Sequence, residues 1–287
     1  MSVPVILSRK SATDQRYFPT ETSVVAAFKE AGFSTAWLST QSPLGVHDSS
    51  IALHASEADQ VQYLNPVGYK KEGFYDDILL PAFDRVLQQN EQKQLIVLHT
   101  LGSHFSYADR YPQAFDLFTP SGKGQSISMH DQNSKVLLNN AYDNSVAYTD
   151  FILFNLIKQL EQSQSISGLF YVSDHGENIF DGQCNKSGHG HNTERDYRVA
   201  SILWTSELYN LQYPQKKSLA EQRREQPLVT TNVFHSFLDL AGIEYPDQKL
   251  TKSWLSPDWR PSSRILQQGL DFDKATRVGE CQELKAP

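Results

Sequence analysis

The residues able to do chemistry fall into three short runs. Ser173-Asp174-His175-Gly176-Glu177 follows the apolar stretch Gly168 to Val172. A carboxylate beside an imidazole offers oxygen and nitrogen donors that zinc accepts together, and a catalytic zinc takes about three protein ligands with one position left open. The same pentapeptide also reads as a strand-end turn stabilised by Asp and Gly. Ser187-Gly188-His189-Gly190-His191-Asn192 is the second run. Glycines on both sides of His189 let backbone and imidazole approach a ligand closely, and the other reading is a solvated polar loop. The third run, His99-Thr100-Leu101-Gly102-Ser103-His104, follows Leu95-Ile96-Val97-Leu98. His104 is its candidate. His99, still close to the apolar stretch, reads first as a packed histidine, and His99 and His191 are secondary candidates. His47, His54, His130 and His235 lack such neighbours and are assigned no role.

Placing these runs together requires elements that end at one edge of a sheet. Helical spacing of apolar residues is read over Thr20 to Ala31, Tyr75 to Gln89, Asn139 to Leu160 and Thr231 to Ala241. Strand-like stretches are Ser34 to Ser39, Leu95 to Leu98, Gly168 to Val172 and Ala200 to Trp204. Helices alternating with strands predict an α/β fold with a mainly parallel sheet, which presents chemistry on the loops at its strand ends. Ser206 to Pro227 reads as an exposed excursion. After about Asp258 the pattern weakens, and a loosely packed tail, 258–287, is expected.

Composition sets the class. With 287 residues, 39% of them hydrophobic, the chain is long enough for one large domain with its own core. There are 26 Lys plus Arg against 33 Asp plus Glu, a formal net charge of −7. That balance argues against a large phosphate-backbone footprint, so no nucleic-acid partner is expected. The longest apolar candidate, Phe151 to Leu160, is interrupted by Asn155 and Lys158 and is too short to cross a bilayer. Cys184 and Cys281 fit either two buried thiols or one long-range disulfide.

With these runs in place, the chain resembles the phosphoethanolamine transferases that modify bacterial lipid A, lipopolysaccharide core and periplasmic glucans, within the alkaline phosphatase superfamily. The likeness runs in order through Ser2-Val3-Pro4, Thr35-Ala36-Trp37-Leu38-Ser39, Gln41-Ser42-Pro43-Leu44-Gly45, Tyr75-Asp76-Asp77 and Leu80-Pro81. It continues through Leu98 to His104, Tyr142-Asp143-Asn144-Ser145, Tyr148-Thr149-Asp150, Ser173 to Glu177 and His189-Gly190. In that family a zinc ion is held by a Glu, a nucleophilic Thr and an Asp-His pair. The resemblance assigns the pair to Asp174 and His175 as metal ligands, and assigns His104 and His189 to the phosphoryl group or a second zinc. The family's usual Asn-His-Gly is Ser103-His104-Phe105 here.

The family's Thr lies just before the segment matched by Ser2-Val3-Pro4, and its metal-binding Glu lies further upstream on the first strand. The resemblance therefore implies a three-layer α/β sandwich with a mainly parallel central sheet lacking its first strand, as one N-terminally truncated catalytic domain over 1–287. The same likeness implies Zn2+ as cofactor, phosphatidylethanolamine as donor and a lipopolysaccharide or glucan acceptor. It also implies a periplasm-facing catalytic domain of an inner-membrane protein, and a long-range Cys184 to Cys281 bridge could form there. Zinc would lower the pKa of the Thr hydroxyl for attack on phosphorus, with imidazoles offsetting charge on the phosphoryl oxygens. On this reading the full-length protein is an enzyme and residues 1–287 alone are inactive. A phosphodiesterase or phosphoglycerol transferase would use the same metal site. A sulfatase would need an Arg after Pro4 that Val5-Ile6 does not supply. A non-catalytic binding module is the alternative of another class.

Overall fold

The computed structural model describes residues 2–14, 16, 19–45, 48–65, 74–89 and 91–287; His47 lies outside them. The chain opens with a short helix α1 (Ser2–Ile6) and reaches α2 (Val24–Glu30), where the Ser23 side chain accepts from the amide of Ala26 and caps the first turn. Gly32, at φ +81°, ends that helix in the left-handed conformation that favours glycine. Strand β1 (Ser34–Ser39) follows, then α3 (Asp48–Ala55), β2 (Gln60–Tyr63), α4 (Leu79–Leu87) and β3 (Gln94–His99). Leu79, Ala82, Phe83 and Val86, at helical spacing, form the buried stripe of α4.

Beyond β3, an irregular excursion leads to the 28-residue helix α5 (Lys135–Gln162) and strand β4 (Gly168–Val172). Two-residue strands β5 (Asn178–Ile179) and β6 (Ser187–Gly188) then pair antiparallel. After α6 (Glu194–Tyr197) comes β7 (Ser201–Thr205), followed by α7 (Glu207–Gln212), α8 (Pro214–Arg223) and α9 (Val233–Leu240). The expected exposed excursion between Ser206 and Pro227 thus contains two helices; α8 buries no residue.

β1 lies between β2 and β3, and all three run parallel. Its side chains alternate between two cores. Ala36 and Leu38 join Leu79, Phe83 and the α5 residues Tyr148, Ile152 and Leu156 on one face. Trp37 joins Val25, Phe28, Phe234 and Leu238 of α2 and α9 on the other. Fully burying side chains such as Leu38 and Leu79 contributes about 1.5–3 kcal/mol each. The result is helix layers on both faces of a sheet, as an alternating helix and strand pattern requires.

The hydrogen bonding refines the expected mainly parallel sheet. β4 pairs with β7 antiparallel, and among the described residues β3 bonds only to β1 and β4 only to β7. Ile96, Leu98 and Leu169 nevertheless pack on the same core cluster, which includes α5, and Phe170 meets Phe237 of α9.

The segment expected to be a loose tail is packed. Leu266, Phe272, Ala275 and Leu284 form a buried cluster, and β8 (Thr276–Val278) pairs with β9 (Glu283–Lys285). Its apolar residues are too widely spaced for a helix or strand signal, and they bury against one another only after the chain turns back. A disulfide joins Cys281 of this segment to Cys184.

His235 in α9 is 4% exposed, and its Nδ1 lies 2.6 Å from the Tyr245 hydroxyl. Burial, then the charges of Lys252, Lys249 and Arg9, push its pKa down to about 4. The native state therefore holds His235 neutral, whereas the unfolded chain protonates near pH 6.5. Its contribution is present above pH 6.5 and is lost as pH falls to about 4, costing up to about 3 kcal/mol. Urea unfolding across that range should show stability rising with pH, and His235→Gln should flatten the slope.

Candidate functional site

Three loops bring the chemistry-bearing residues together, and register explains two of the positions. Asn178 of β5 is paired with Gly188 of β6, so the residues just outside that pair, Glu177 and His189, face one another across the ribbon. His189 Nδ1–H donates to Glu177 Oε1 at 2.8 Å. Gly188 has φ +79°, which lets the chain turn out of β6 directly into His189. The pair is fixed from behind. The Asn178 side chain donates to the Gly188 carbonyl at 3.0 Å and to Asp196 at 2.8 Å, and it accepts from Thr193 Oγ1 at 2.9 Å.

The loop leaving β4 is pinned in the same way. The Ala200 amide donates to Ser173 Oγ at 3.1 Å, and the Gly176 amide donates to the Asp196 carbonyl at 2.9 Å. Gly176 packs so tightly on the 195–198 backbone that a Cβ there would stand 2.0 Å from the Arg195 carbonyl oxygen. This contact turns His175 back toward the hairpin. The His175 and His189 rings are 3.8 Å apart, and Nδ1–H of His175 donates to the Gly176 carbonyl at 3.0 Å. That bond fixes the tautomer and leaves Nε2 as the free donor atom.

His175 Nε2 lies 3.6 Å from Asp174 Oδ2. Two ligands at the usual zinc distances of about 2.0–2.1 Å, set at tetrahedral angles, are separated by about 3.3 Å. The pair is therefore close to the spacing a shared cation requires. His175, Glu177 and His189 also each offer one ligand atom, all within 4.8 Å of one another. Glu177 is the best protected, with its side chain 8% exposed against 51% for both Asp174 and His189. It holds the His189 pKa above its ordinary value, against the opposing effect of partial burial.

His104 approaches from the β3 side. Its Nδ1 lies 2.5 Å from the Phe105 carbonyl oxygen, and its own carbonyl accepts from Arg110 Nε at 2.9 Å. Burial lowers its pKa, with the charges of Glu177 and His189 acting in opposite senses. Tyr107, in the turn after His104, donates its hydroxyl to Glu177 Oε2 at 3.1 Å and so ties that loop to the site.

Sequence reasoning passed over Glu177 and Tyr107 as site residues. Glu177 stood inside the quoted pentapeptide, but its part depends on the β5–β6 register, which the sequence does not display. The two secondary histidines are placed differently from the main group. His191 Nε2–H donates to the Ser187 carbonyl at 2.8 Å. His99 lies against Trp37 and Ser39 Oγ, its pKa pushed down to about 4 chiefly by burial, with Asp174 and Asp48 opposing.

The tail completes the outer wall. The Glu194 amide donates to the Gln282 carbonyl, the Leu284 amide donates to the Asn192 carbonyl, and Lys186 pairs with Glu283 at 2.7 Å. Cys184, between β5 and β6, carries the disulfide to Cys281. His189 is thus presented by a hairpin strapped from outside.

The chain has recognisable relatives among known proteins. The sulfatase family model matches residues 2–243. Phosphoethanolamine transferase EptC of Escherichia coli K12 is 28% identical over 251 residues, which is 86% of this chain and 42% of that protein. Kdo(2)-lipid A phosphoethanolamine 7''-transferase of Salmonella typhimurium is 32% identical over 217 residues, covering 72% of this chain and 35% of that protein. The chain therefore spans less than half the length of these relatives. Among solved structures, the C-terminal periplasmic domain of E. coli EptC, crystallised with zinc, superposes with a TM-score of 0.84 at 25% identity. That match covers 94% of this chain and 77% of the other. The chain belongs to the sulfatase family, and its relatives include phosphoethanolamine transferases.

Proposed function

We propose that this domain forms the zinc- and phosphoryl-binding part of a phosphoethanolamine transferase. In this reading a phosphatidylethanolamine headgroup is the donor, and a lipopolysaccharide-type glycolipid or glucan on the periplasmic side of the inner membrane is the acceptor. The observation that carries the proposal is the convergence of His175, Glu177 and His189, with Asp174 beside His175, on loops at the sheet edge, N and O donors of the kind zinc accepts. The donor set fits the metal. Asp174 Oδ2 and His175 Nε2 would hold it, and zinc bound there would supply Lewis-acid activation of a hydroxyl and of the phosphoryl oxygens.

The protein's own groups would do the rest. His189 has its Nδ1 occupied by Glu177 and its pKa raised, so it can present a protonated Nε2 to phosphoryl oxygens as charge grows on them. His104 would supply a second imidazole from the β3 side. No helix among the described residues is long and apolar enough to cross a membrane. On this reading the chain binds the metal and the phosphoryl group together.

The test is calorimetric. The zinc-loaded chain should bind phosphoethanolamine, lose that binding in EDTA, and weaken about tenfold or more when His189 is replaced by Ala. Zinc-independent binding, or binding unchanged in His189→Ala, would refute the reading.

A further inference from the structure

Asp76 is part of the quoted Tyr75-Asp76-Asp77 run, yet it touches none of the residues assigned to the site. It opens the 3-10 turn Asp76–Ile78, which leads into α4. Its side chain is buried, with the residue 8% exposed, and it accepts three hydrogen bonds from two different loops. Oδ1 takes the Thr40 hydroxyl at 2.5 Å and the Leu101 amide at 3.0 Å, while Oδ2 takes the Gly102 amide at 2.8 Å. Thr40 is the first residue after β1 and is itself fully buried; its Oγ1 also lies 2.9 Å from the Leu101 amide. Leu101 and Gly102 belong to the exit of β3. One carboxylate therefore joins the ends of two neighbouring parallel strands.

The two sides of this junction differ in rigidity. Asp76 is anchored by α4, whose stripe of Leu79, Ala82, Phe83 and Val86 is in the core. The segment from Thr100 to His104 belongs to no helix or strand. Gly102 has φ +56°, and the His104 amide donates to the Leu101 carbonyl at 3.3 Å. The direction in which His104 leaves the sheet depends on the two amides that Asp76 holds, together with the Gln41 side chain on the Thr100 carbonyl at 2.6 Å and Arg110 on the His104 carbonyl. Both oxygens are in use, so Asn at this position would turn one acceptor into an N–H facing another donor.

We infer that Asp76 is a positioning residue that locks the β3 exit loop and thereby aims His104 at the phosphoryl-binding site. The inference rests on the proposed transferase reading for what His104 meets, and on geometry alone for the lock.

Two measurements on the zinc-loaded chain separate those parts. Amide exchange at Leu101 and Gly102 should speed up at least about tenfold in Asp76→Asn, and by less in Thr40→Val, which removes one of the three donors. Phosphoethanolamine affinity should fall about tenfold in Asp76→Asn and in His104→Ala, and the double variant should bind no more weakly than His104→Ala, because Asp76 acts through His104. A residue that merely supports the fold would give losses that multiply. Unchanged exchange in both Asp76→Asn and Thr40→Val overturns the lock. Faster exchange with unchanged affinity, or with multiplying losses, overturns the aiming of His104. If the unmodified chain binds no phosphoethanolamine, the transferase reading fails while the exchange data still decide the lock.

Discussion

Replacing Cys184 and Cys281 together by Ser is expected to destabilise the protein by about 4–5 kcal/mol. The bridge joins residues 97 positions apart, and in the chain-entropy account closing a loop of that length removes about 4.7 kcal/mol of freedom from the unfolded state. The loss is also local in its consequence. Cys184 lies between β5 and β6, and Cys281 lies in the turn before β9, whose Leu284 amide holds the Asn192 carbonyl. Opening the bridge loosens the strap outside His189, so zinc affinity should fall along with stability. Urea unfolding of the oxidised chain, the reduced chain and the double Ser variant measures the first effect, and zinc titration the second. A change below about 1 kcal/mol would mean that the Leu266, Phe272, Ala275 and Leu284 cluster holds the segment without the bridge.

Gly176→Ala should have an effect of similar size with a different cause. The added methyl would stand 2.0 Å from the Arg195 carbonyl oxygen and 2.7 Å from that of Arg198. Both are backbone atoms, so no side-chain rotation relieves the contact, and one loop must move. Overpacking of this kind costs about 3 kcal/mol at the upper end of what cores tolerate. The same movement shifts His175 away from Glu177 and His189, which the hairpin carries. Zinc affinity should drop by about 100-fold or more, because the donors no longer meet. Unfolding and zinc titration of the variant check both parts. A stable variant with unchanged zinc binding would show that the 195–198 segment yields freely and does not shape the site.

Much of this arrangement was legible in the sequence because local pattern and tertiary role agree there. β1 falls on Ser34 to Ser39 as its apolar run suggests, and β3 and β4 end where the His99 and Ser173 runs begin. Asp174, His175 and His189 were readable as candidates because their neighbours are unusual. Other features depend on contacts between distant residues. Gln60–Tyr63 forms β2, although its alternating Gln-Val-Gln-Tyr buries neither apolar side chain, so its hydrophobic pattern is weak. Glu177 becomes a partner of His189 only through the Asn178–Gly188 register. The Cys184–Cys281 pairing has no spacing signature. His99 and His191 share their runs with better-placed histidines, yet their ring nitrogens lie against Ser39 and the Ser187 carbonyl, and only coordinates reveal that.

Calorimetric zinc titration of the chain and its variants tests the central claim, that Asp174 and His175 hold a cation beside the Glu177–His189 pair. Saturable binding should appear, and it should weaken at least about tenfold in each of His175→Ala and Glu177→Gln. Saturable zinc binding that persists unchanged in His175→Ala, or its absence from the unmodified chain, would contradict the account.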